Sequence, residues 1–398
     1  MKSAEQLSLF PHEQEGFSLP LGEEPVRPGG FQIDTIILSK GSLDTPEREA
    51  FVRRICGVYP ELAVEEQLDV PHNRIELGED DPLRRQARGK RTLVLGVLNP
   101  ASAVRCTQVN DAEQPFRWHF SVYGHCFYGC SYCYLAGTDG VWHSPTVRVY
   151  VNLPEIVEEI ERQANKLGTV TTFYLGKLQD GLSLDPLTAY SSVLLPFFAQ
   201  HPWARLLIQT KSASVVRLIN LEHRGHTTLS WSLNPPEIVN RFESNVPSVE
   251  ARICAMQQCA NAGYPVRGLI QPFIPHGDWE NVYESFVCEL MERVPLRELS
   301  IAGMCIGHRA VSLFERRTGH ENAISRNLSS MPSRGGNGTH YGNAIVERLF
   351  LRISKTVHNR WPGWRVSTGT QYPSVLGSLK IRPPAMLHEG TENAHVSK

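Results

Sequence analysis

The sequence predicts an α/β fold built as an open or partial (β/α) barrel, on three observations. Strand-like and helix-like segments alternate in six units from about residue 118 to 310. Strand followed by helix calls for parallel strands joined by crossover connections. The helical segments carry apolar residues on one face, as in LPEIVEEIERQANKL, where Ile156, Val157, Ile160, Ala164 and Leu167 line up. A doubly wound sheet is the alternative that the same alternation allows. In a barrel of this kind, functional residues sit on loops at the carboxyl ends of the strands.

The elements follow in order. Residues 1–30 read as a disordered tail, since FPHEQEGFSLPLGEEPVRPGG is rich in Pro, Gly and Glu and buries too little to order alone. FQIDTIIL reads as a strand, TPEREAFVRRIC as a helix and KRTLVLGV as a strand ended by Asn99 and Pro100, a small N-terminal α/β extension over 31–110. The barrel and a C-terminal helical part occupy 111–372. Pro154 suits the first turn of its helix. TVTTFYL is a strand, DPLTAYSSVLLPFFAQ a helix, ARLLIQT a strand and SASVVRLINL a short helix. HTTLSWSL is a strand, VEARICAMQQCANAG a helix stopped by Gly263, VRGLIQPFI a strand, WENVYESFVCELMERV a helix and RELSIAGMCI the sixth strand. The Ser, Gly and Asn of 321–343 read as a long loop, and 373–398 as a flexible tail.

Composition excludes more than it identifies. A formal charge of −1 over 398 residues gives no net pull toward nucleic acid or anionic membrane. The basic run PLRRQARGKR, Pro82 to Arg91, reads as a solvated linker before a strand rather than a DNA groove. No N-terminal apolar stretch and no run of 18 apolar residues occurs, so the chain reads as soluble and cytoplasmic, with no membrane partner. Nine cysteines without paired spacing argue against a disulfide framework.

Three of those cysteines demand a chemical reason. In VYGHCFYGCSYCYLAG, Cys126, Cys130 and Cys133 fall within eight residues, with aromatics between them. A structural zinc site takes four closed ligands, which His125 or His143 would have to complete. Buried thiols without a metal are the plainer alternative. An iron–sulfur cluster held by three thiolates leaves one iron open to bind and activate a small molecule.

The C-x3-C-x2-C spacing followed by Tyr134 resembles the signature of the radical S-adenosylmethionine (radical SAM) superfamily. Further stretches resemble its spore photoproduct lyase family: KRTLVLGV, CSYCYLAG, IQTK, SWSLNPPEIVNRFE, AGYPVRGLIQPFIPHGDWENVY, HRAVSLFERR and the Tyr341-Gly342 segment, over roughly residues 31 to 370. The resemblance implies a partial (β/α)6 TIM-like barrel of the radical SAM type. It also implies a [4Fe-4S] cluster on Cys126, Cys130 and Cys133, and S-adenosylmethionine at its open iron. A 5′-deoxyadenosyl radical would then abstract hydrogen from a substrate, with a flavodoxin or ferredoxin type protein as electron donor.

Residue roles carried by the resemblance are expectations. Lys211 and Ser232 fall where the family holds S-adenosylmethionine, and a solvated surface lysine is the alternative for the first. Tyr132 and Tyr134 fall beside the cluster, to support the cofactor and relay hydrogen, or simply to shield it. Tyr341 falls in a segment that touches the lesion, with His340 in place of an arginine and Ile345 near an expected lysine. Lys177 stands where the lyase has the cysteine that returns a hydrogen atom to the product radical. Lysine cannot serve, because its N–H and C–H bonds are much stronger than a thiol S–H. The sequence therefore favours a radical enzyme on a small polar, nucleoside-like substrate, with Lys177 and Asp180 as substrate groups. Lyase-type DNA repair is the alternative, and a degenerate binding protein is a third reading. Cys305, at the end of the sixth strand, is the best-placed remaining thiol donor, a buried core thiol being its plainer role.

Overall fold

The computed structural model describes residues 16–108, 116–329, 338–364 and 366–368. The segments 1–15 and 373–398, and part of the expected loop 321–343, lie outside the described residues. The strands run β1 (Thr35–Ser39), β2 (Val64–Gln67), β3 (Thr92–Gly96), β4 (Val104–Gln108), β5 (Phe116–Phe120), β6 (Tyr123–Gly124) and β7 (Val147–Tyr150). They continue as β8 (Thr171–Leu175), β9 (Ala204–Thr210), β10 (Thr227–Ser232), β11 (Val266–Ile270), β12 (Glu298–Ile301), β13 (Cys305–Gly307), β14 (Gly338–His340) and β15 (Val366–Thr368).

Two sheets and a ribbon result. The first has the order β2-β1-β3-β7-β6, parallel except for β6 against β7. The second has the order β15-β12-β11-β10-β9-β8-β5-β4, and only the β4–β5 pair is antiparallel. It is the partial barrel: the six expected strands β5, β8, β9, β10, β11 and β12 stand side by side, with β15 added at the far edge. The chain crosses between sheets, since β4 belongs to the barrel while β6 and β7, beyond β5, return to the first sheet. That return frames the cysteine loop between β6 and β7.

Side chains alternate along the barrel strands as period-two geometry requires. In β9, Ala204, Leu206, Ile208 and Thr210 are buried, while Arg205, Leu207 and Gln209 are partly open toward the barrel interior. The outward faces feed an aromatic shell in which Phe120 and Phe173 lie 6.1 and 6.3 Å from Phe198 on the helix Ser191–Gln200. β3 is buried on both faces, as a central parallel strand must be.

Local chemistry explains where the structure departs from the sequence pattern. Residues 16–30, assigned by composition to a tail, pack on the body: Leu19 is buried, Phe17 meets Phe197 edge-on at 5.4 Å and Val26 N donates to Pro186 O at 2.8 Å. The expected helix over 185–200 breaks at Ala189, φ 55°, because Asp185 accepts from both Ser191 N and Ser191 Oγ at 2.8 Å and so starts a second helix. SASVVRLINL makes one turn, Leu218–Asn220, since Ser212 and Ser214 spend their amides on the hydroxyls of Thr210 and Ser212. The sixth strand ends at Ile301, and Cys305 starts β13, which pairs antiparallel with β14. The supposed linker Pro82–Arg91 is a helix over Pro82–Gly89, started by Pro82 and capped by Asp81 Oδ1 on the amides of Leu83 and Arg84, both 2.9 Å.

One glycine fixes a strand end at the barrel mouth. Gly176 has φ 122°, and an added Cβ would lie 2.5 Å from Gln209 O. Gly176→Ala is expected to cost about 1–3 kcal/mol through backbone strain, with the clash added. Urea unfolding checks it: the midpoint should fall with an unchanged slope.

Candidate active site

The cysteine loop is laced to the rest of the chain by its backbone. Gly129 N donates to Ser244 O at 2.7 Å, and Ser131 N and Oγ both reach Phe242 O, at 2.8 and 3.1 Å. Gly129 is required there, because a Cβ would sit 2.0 Å from Ser244 Oγ. His125 enters the loop with φ 62° and is buried. Burial pushes the Cys126 thiol far up and the Cys130 thiol to about 12, against the pull of the nearby Lys90 ammonium on both and of Lys211 on Cys130. Thiols in such surroundings ionise only when a cationic group binds them. Among the described residues no three His, Cys, Asp or Glu side chains gather tightly enough for a single metal ion. Three thiolates on one loop are the ligand set of a cluster with one iron left open.

Beside the loop lies a buried charge network. Glu243 follows the helix Pro236–Phe242, and its Oε1 accepts from Lys211 Nζ at 2.9 Å and from the Tyr132 hydroxyl. Its Oε2 accepts from Arg252 Nη2 at 2.7 Å, both side chains being fully buried. Lys211 Nζ also donates to Tyr132 Oη at 2.9 Å. Burial opposes the charge on Glu243, yet Lys211 and Arg252 hold its carboxyl down to about 2. Burial likewise opposes the Lys211 ammonium, and Glu243, with Cys130, outweighs it and raises the value. Arg252 spends its other donors on Ser232 O at 3.1 Å and Pro247 O at 3.0 Å. Lys211 is therefore no surface lysine.

The barrel interior continues the polar lining. Ser232 Oγ accepts from Gln209 Nε2 at 2.9 Å, and Gln209 Oε1 accepts from Tyr174. Tyr174 lies within reach of the charges of Arg267 and Arg117, and Arg267 pairs with Glu298 at 2.6 Å. Tyr134 is 45% exposed as a residue while its hydroxyl donates to Lys177 O. The Cys305 side chain lies near that hydroxyl. Cys305 Sγ lies 3.9 Å from His340 Nε2 across the β13–β14 ribbon, and burial raises its thiol.

Lys177 and Asp180, expected as substrate groups, make no contact with each other and bond to different elements. Lys177 Nζ donates to Thr107 Oγ1 on β4 at 2.9 Å, and burial, with Arg117, lowers its ammonium. Asp180 is a buried tie: Oδ1 accepts from Leu182 N, Ser183 N and Thr210 Oγ1 at 3.0, 2.9 and 2.7 Å, and Oδ2 from Lys211 N at 2.7 Å. Tyr341 is buried, its ring 5.5 Å from Phe273. Glu243 and Arg252 were not singled out from the sequence, and neither spacing nor composition distinguishes them from ordinary helix residues. A cavity of about 470 Å³ beside the helix Pro236–Phe242 is lined by none of these groups.

Glu243→Gln is expected to leave two buried cations short of a counter-charge and to cost about 3–5 kcal/mol. With its carboxyl depressed from 4.5 to about 2, the native chain carries this stabilisation above pH 4.5 and loses it as pH falls toward 2. Unfolding free energy measured across that window should slope upward with pH in the native chain and less so in the variant.

Known proteins now bear on the site. A family model described as spore photoproduct lyase matches residues 33–318. The chain is 29% identical over 247 residues to a spore photoproduct lyase of Geobacillus sp. (strain Y412MC61), covering 61% of this chain and 70% of that one. It is 27% identical over 240 residues to the spore photoproduct lyase of Bacillus subtilis (strain 168), covering 60% and 68%. Among solved structures it resembles spore photoproduct lyase complexed with dinucleoside spore photoproduct, with TM-score 0.73 and 22% identity over 86% of this chain and 99% of that one. A mutant of that lyase with bound AdoMet and dinucleoside spore photoproduct matches equally, with TM-score 0.73. No helix of the described residues is long and apolar enough to cross a membrane.

Proposed function

The chain belongs to the spore photoproduct lyase family of radical SAM iron–sulfur enzymes, and from that premise we propose that it carries out lyase-type repair of a thymine lesion in DNA, in the cytoplasm. The observation that carries this reading is the joining of Tyr132, Lys211, Glu243 and Arg252 behind the cysteine loop. Such a wall holds three thiols in place and presents an ammonium beside them. Cys126, Cys130 and Cys133 hold the [4Fe-4S] cluster, and Lys211 and Ser232 lie where they would hold S-adenosylmethionine. When bound, that pair supplies a radical able to abstract hydrogen.

The protein's own part is to place and to quench. Tyr132, locked by two hydrogen bonds, positions Lys211; His340, half-buried on the β13–β14 ribbon, is the residue of the Tyr341 segment left to meet the lesion, while Tyr341 packs beneath it. Once the lesion's cross-link breaks, a thymine-based carbon radical needs one hydrogen atom. Cys305 gives it: the S–H bond breaks, a C–H bond forms and a thiyl radical stays on sulfur. Tyr134 O–H restores the thiol, and one electron from a flavodoxin or ferredoxin type donor with a proton from solvent restores the phenol. Lys177 contributes its carbonyl, which fixes Tyr134.

A second reading is favoured by one observation, a lysine at 177 where the resemblance places the donor cysteine. On it, Lys177 and the polar barrel lining receive a small nucleoside-like substrate instead.

Anaerobically reconstituted protein given lesion-containing DNA in deuterated water is expected to restore intact thymines that carry solvent deuterium. Cys305→Ala should lower that yield on the order of tenfold or more, and Cys130→Ala should remove the cluster spectrum. Slow cleavage of S-adenosylmethionine with no thymine restored would sink the repair reading and promote the nucleoside-like substrate. Full yield in Cys305→Ala would remove that thiol from the relay.

A further inference from the structure

We propose that the basic face formed by the helix Pro82–Gly89 and the end of the helix His308–Thr318 docks a small acidic one-electron carrier protein of the flavodoxin type, beside the cysteine loop. The inference rests on the radical reading only in that a cluster there needs a reductant. Lys90 Nζ donates to Tyr128 O inside the loop, and its charge bears on Cys126 and Cys130. The Arg317 guanidinium comes close enough to Cys133 to feel it. Arg316 and Asp81 join the two helices at 2.6 Å, so their basic residues form one surface.

Acids interleaved on that surface are already engaged. Glu79 faces Arg88 at 3.9 Å, Asp81 caps its helix and holds Arg316, and Asp139 holds Arg309. Arg84, Arg85 and Arg317 have no acidic partner among the described residues; Glu315 meets His320 at 2.9 Å, and with Asp80 exposed on the adjoining turn the five arginines Arg84, Arg85, Arg88, Arg316 and Arg317 still outnumber the four acids Glu79, Asp80, Asp81 and Glu315. Gln86 and Gly89 turn inward, which sends Arg84 and Arg88 outward, one helical turn apart.

The location selects an electron carrier over a nucleic acid. Lys90 reaches the loop from the side of the first sheet, whereas Lys211 reaches Tyr132 from the barrel side. The loop thus stands between the basic face and the substrate mouth. One electron passes, the carrier being oxidised by one and the cluster reduced by one, with no proton or bond exchanged at the surface. Complementary charge speeds such an encounter chiefly through its association rate.

The test is stopped-flow reduction of the reconstituted holoenzyme, without substrate, by photoreduced flavodoxin and separately by dithionite, following the visible absorbance of the cluster. In the double variant Arg84→Glu, Arg85→Glu the flavodoxin rate should drop on the order of tenfold or more and lose much of its salt dependence, with the dithionite rate unchanged. The milder pair Arg84→Gln, Arg85→Gln should fall between, which separates charge from misfolding. Equal flavodoxin rates in all three proteins would overturn the proposal. So would loss of duplex DNA affinity, with its steep salt slope, at an unchanged flavodoxin rate, which assigns the face to phosphates. Because no lesion is present, this outcome and the outcome of the repair assay are independent.

Discussion

The buried carboxylate of Glu243 is the constraint on which the rest of the site depends. Removing three charges from water costs several kcal/mol per ion, recovered only where every hydrogen bond is made. Here the bonds come from Tyr132 in the cysteine loop, Lys211 at the end of β9 and Arg252 on the helix Val249–Asn261. Arg252 in turn holds the carbonyl of Ser232 at the end of β10. Four separate stretches of chain must be in register before the carboxylate is satisfied. Its value lies in placement more than in net stability, since a loop that drifted would leave a cation or an acid stranded in a dry interior.

The same economy runs through the barrel. Its strands turn Phe, Leu and Ile outward to the helices and leave polar groups inward, which a fold sealed for stability alone would not do. Those inward groups are paired with one another: Tyr174 with Gln209, Gln209 with Ser232, Arg267 with Glu298. Asp180 does the equivalent work in backbone, binding the β8 loop to β9 so that Lys211 leaves its strand at a fixed angle. The chamber is pre-organised before any ligand enters, which lowers the ordering cost of binding.

Much of the fold was legible because its signals are local. ARLLIQT is β9 residue for residue, and the helices at 153–167 and 279–293 follow their apolar faces. The losses occur where side chains compete with backbone: Asp185 split a helix, and Ser212 and Ser214 unmade another. The short strand β7 went unseen because it is defined by partners distant in sequence, β3 and β6, and β4 because it is a brief edge strand paired on one side only. In the site, the cysteines announce themselves by spacing and Tyr132 and Tyr134 by adjacency to them. Glu243 and Arg252 do not, because their meaning is the meeting of two helix ends. Lys177 and Asp180 stand close in sequence, yet the bend after β8 sends one side chain toward β4 and the other into the turn toward β9.

At position 177 the backbone and the side chain of one residue serve different elements. What the fold uses there is the carbonyl, which holds the Tyr134 hydroxyl, while the ammonium is drawn off to Thr107 at the edge of the barrel. A thiol on the neighbouring ribbon, Cys305, lies near the same tyrosine, with His340 Nε2 3.9 Å from its Sγ. A hydrogen-atom relay depends on the bond strength of its donor and on its distance from the radical. It does not depend on which strand supplies the donor, so on the proposed relay a thiol on the ribbon can serve provided Tyr134 stays where Lys177 fixes it.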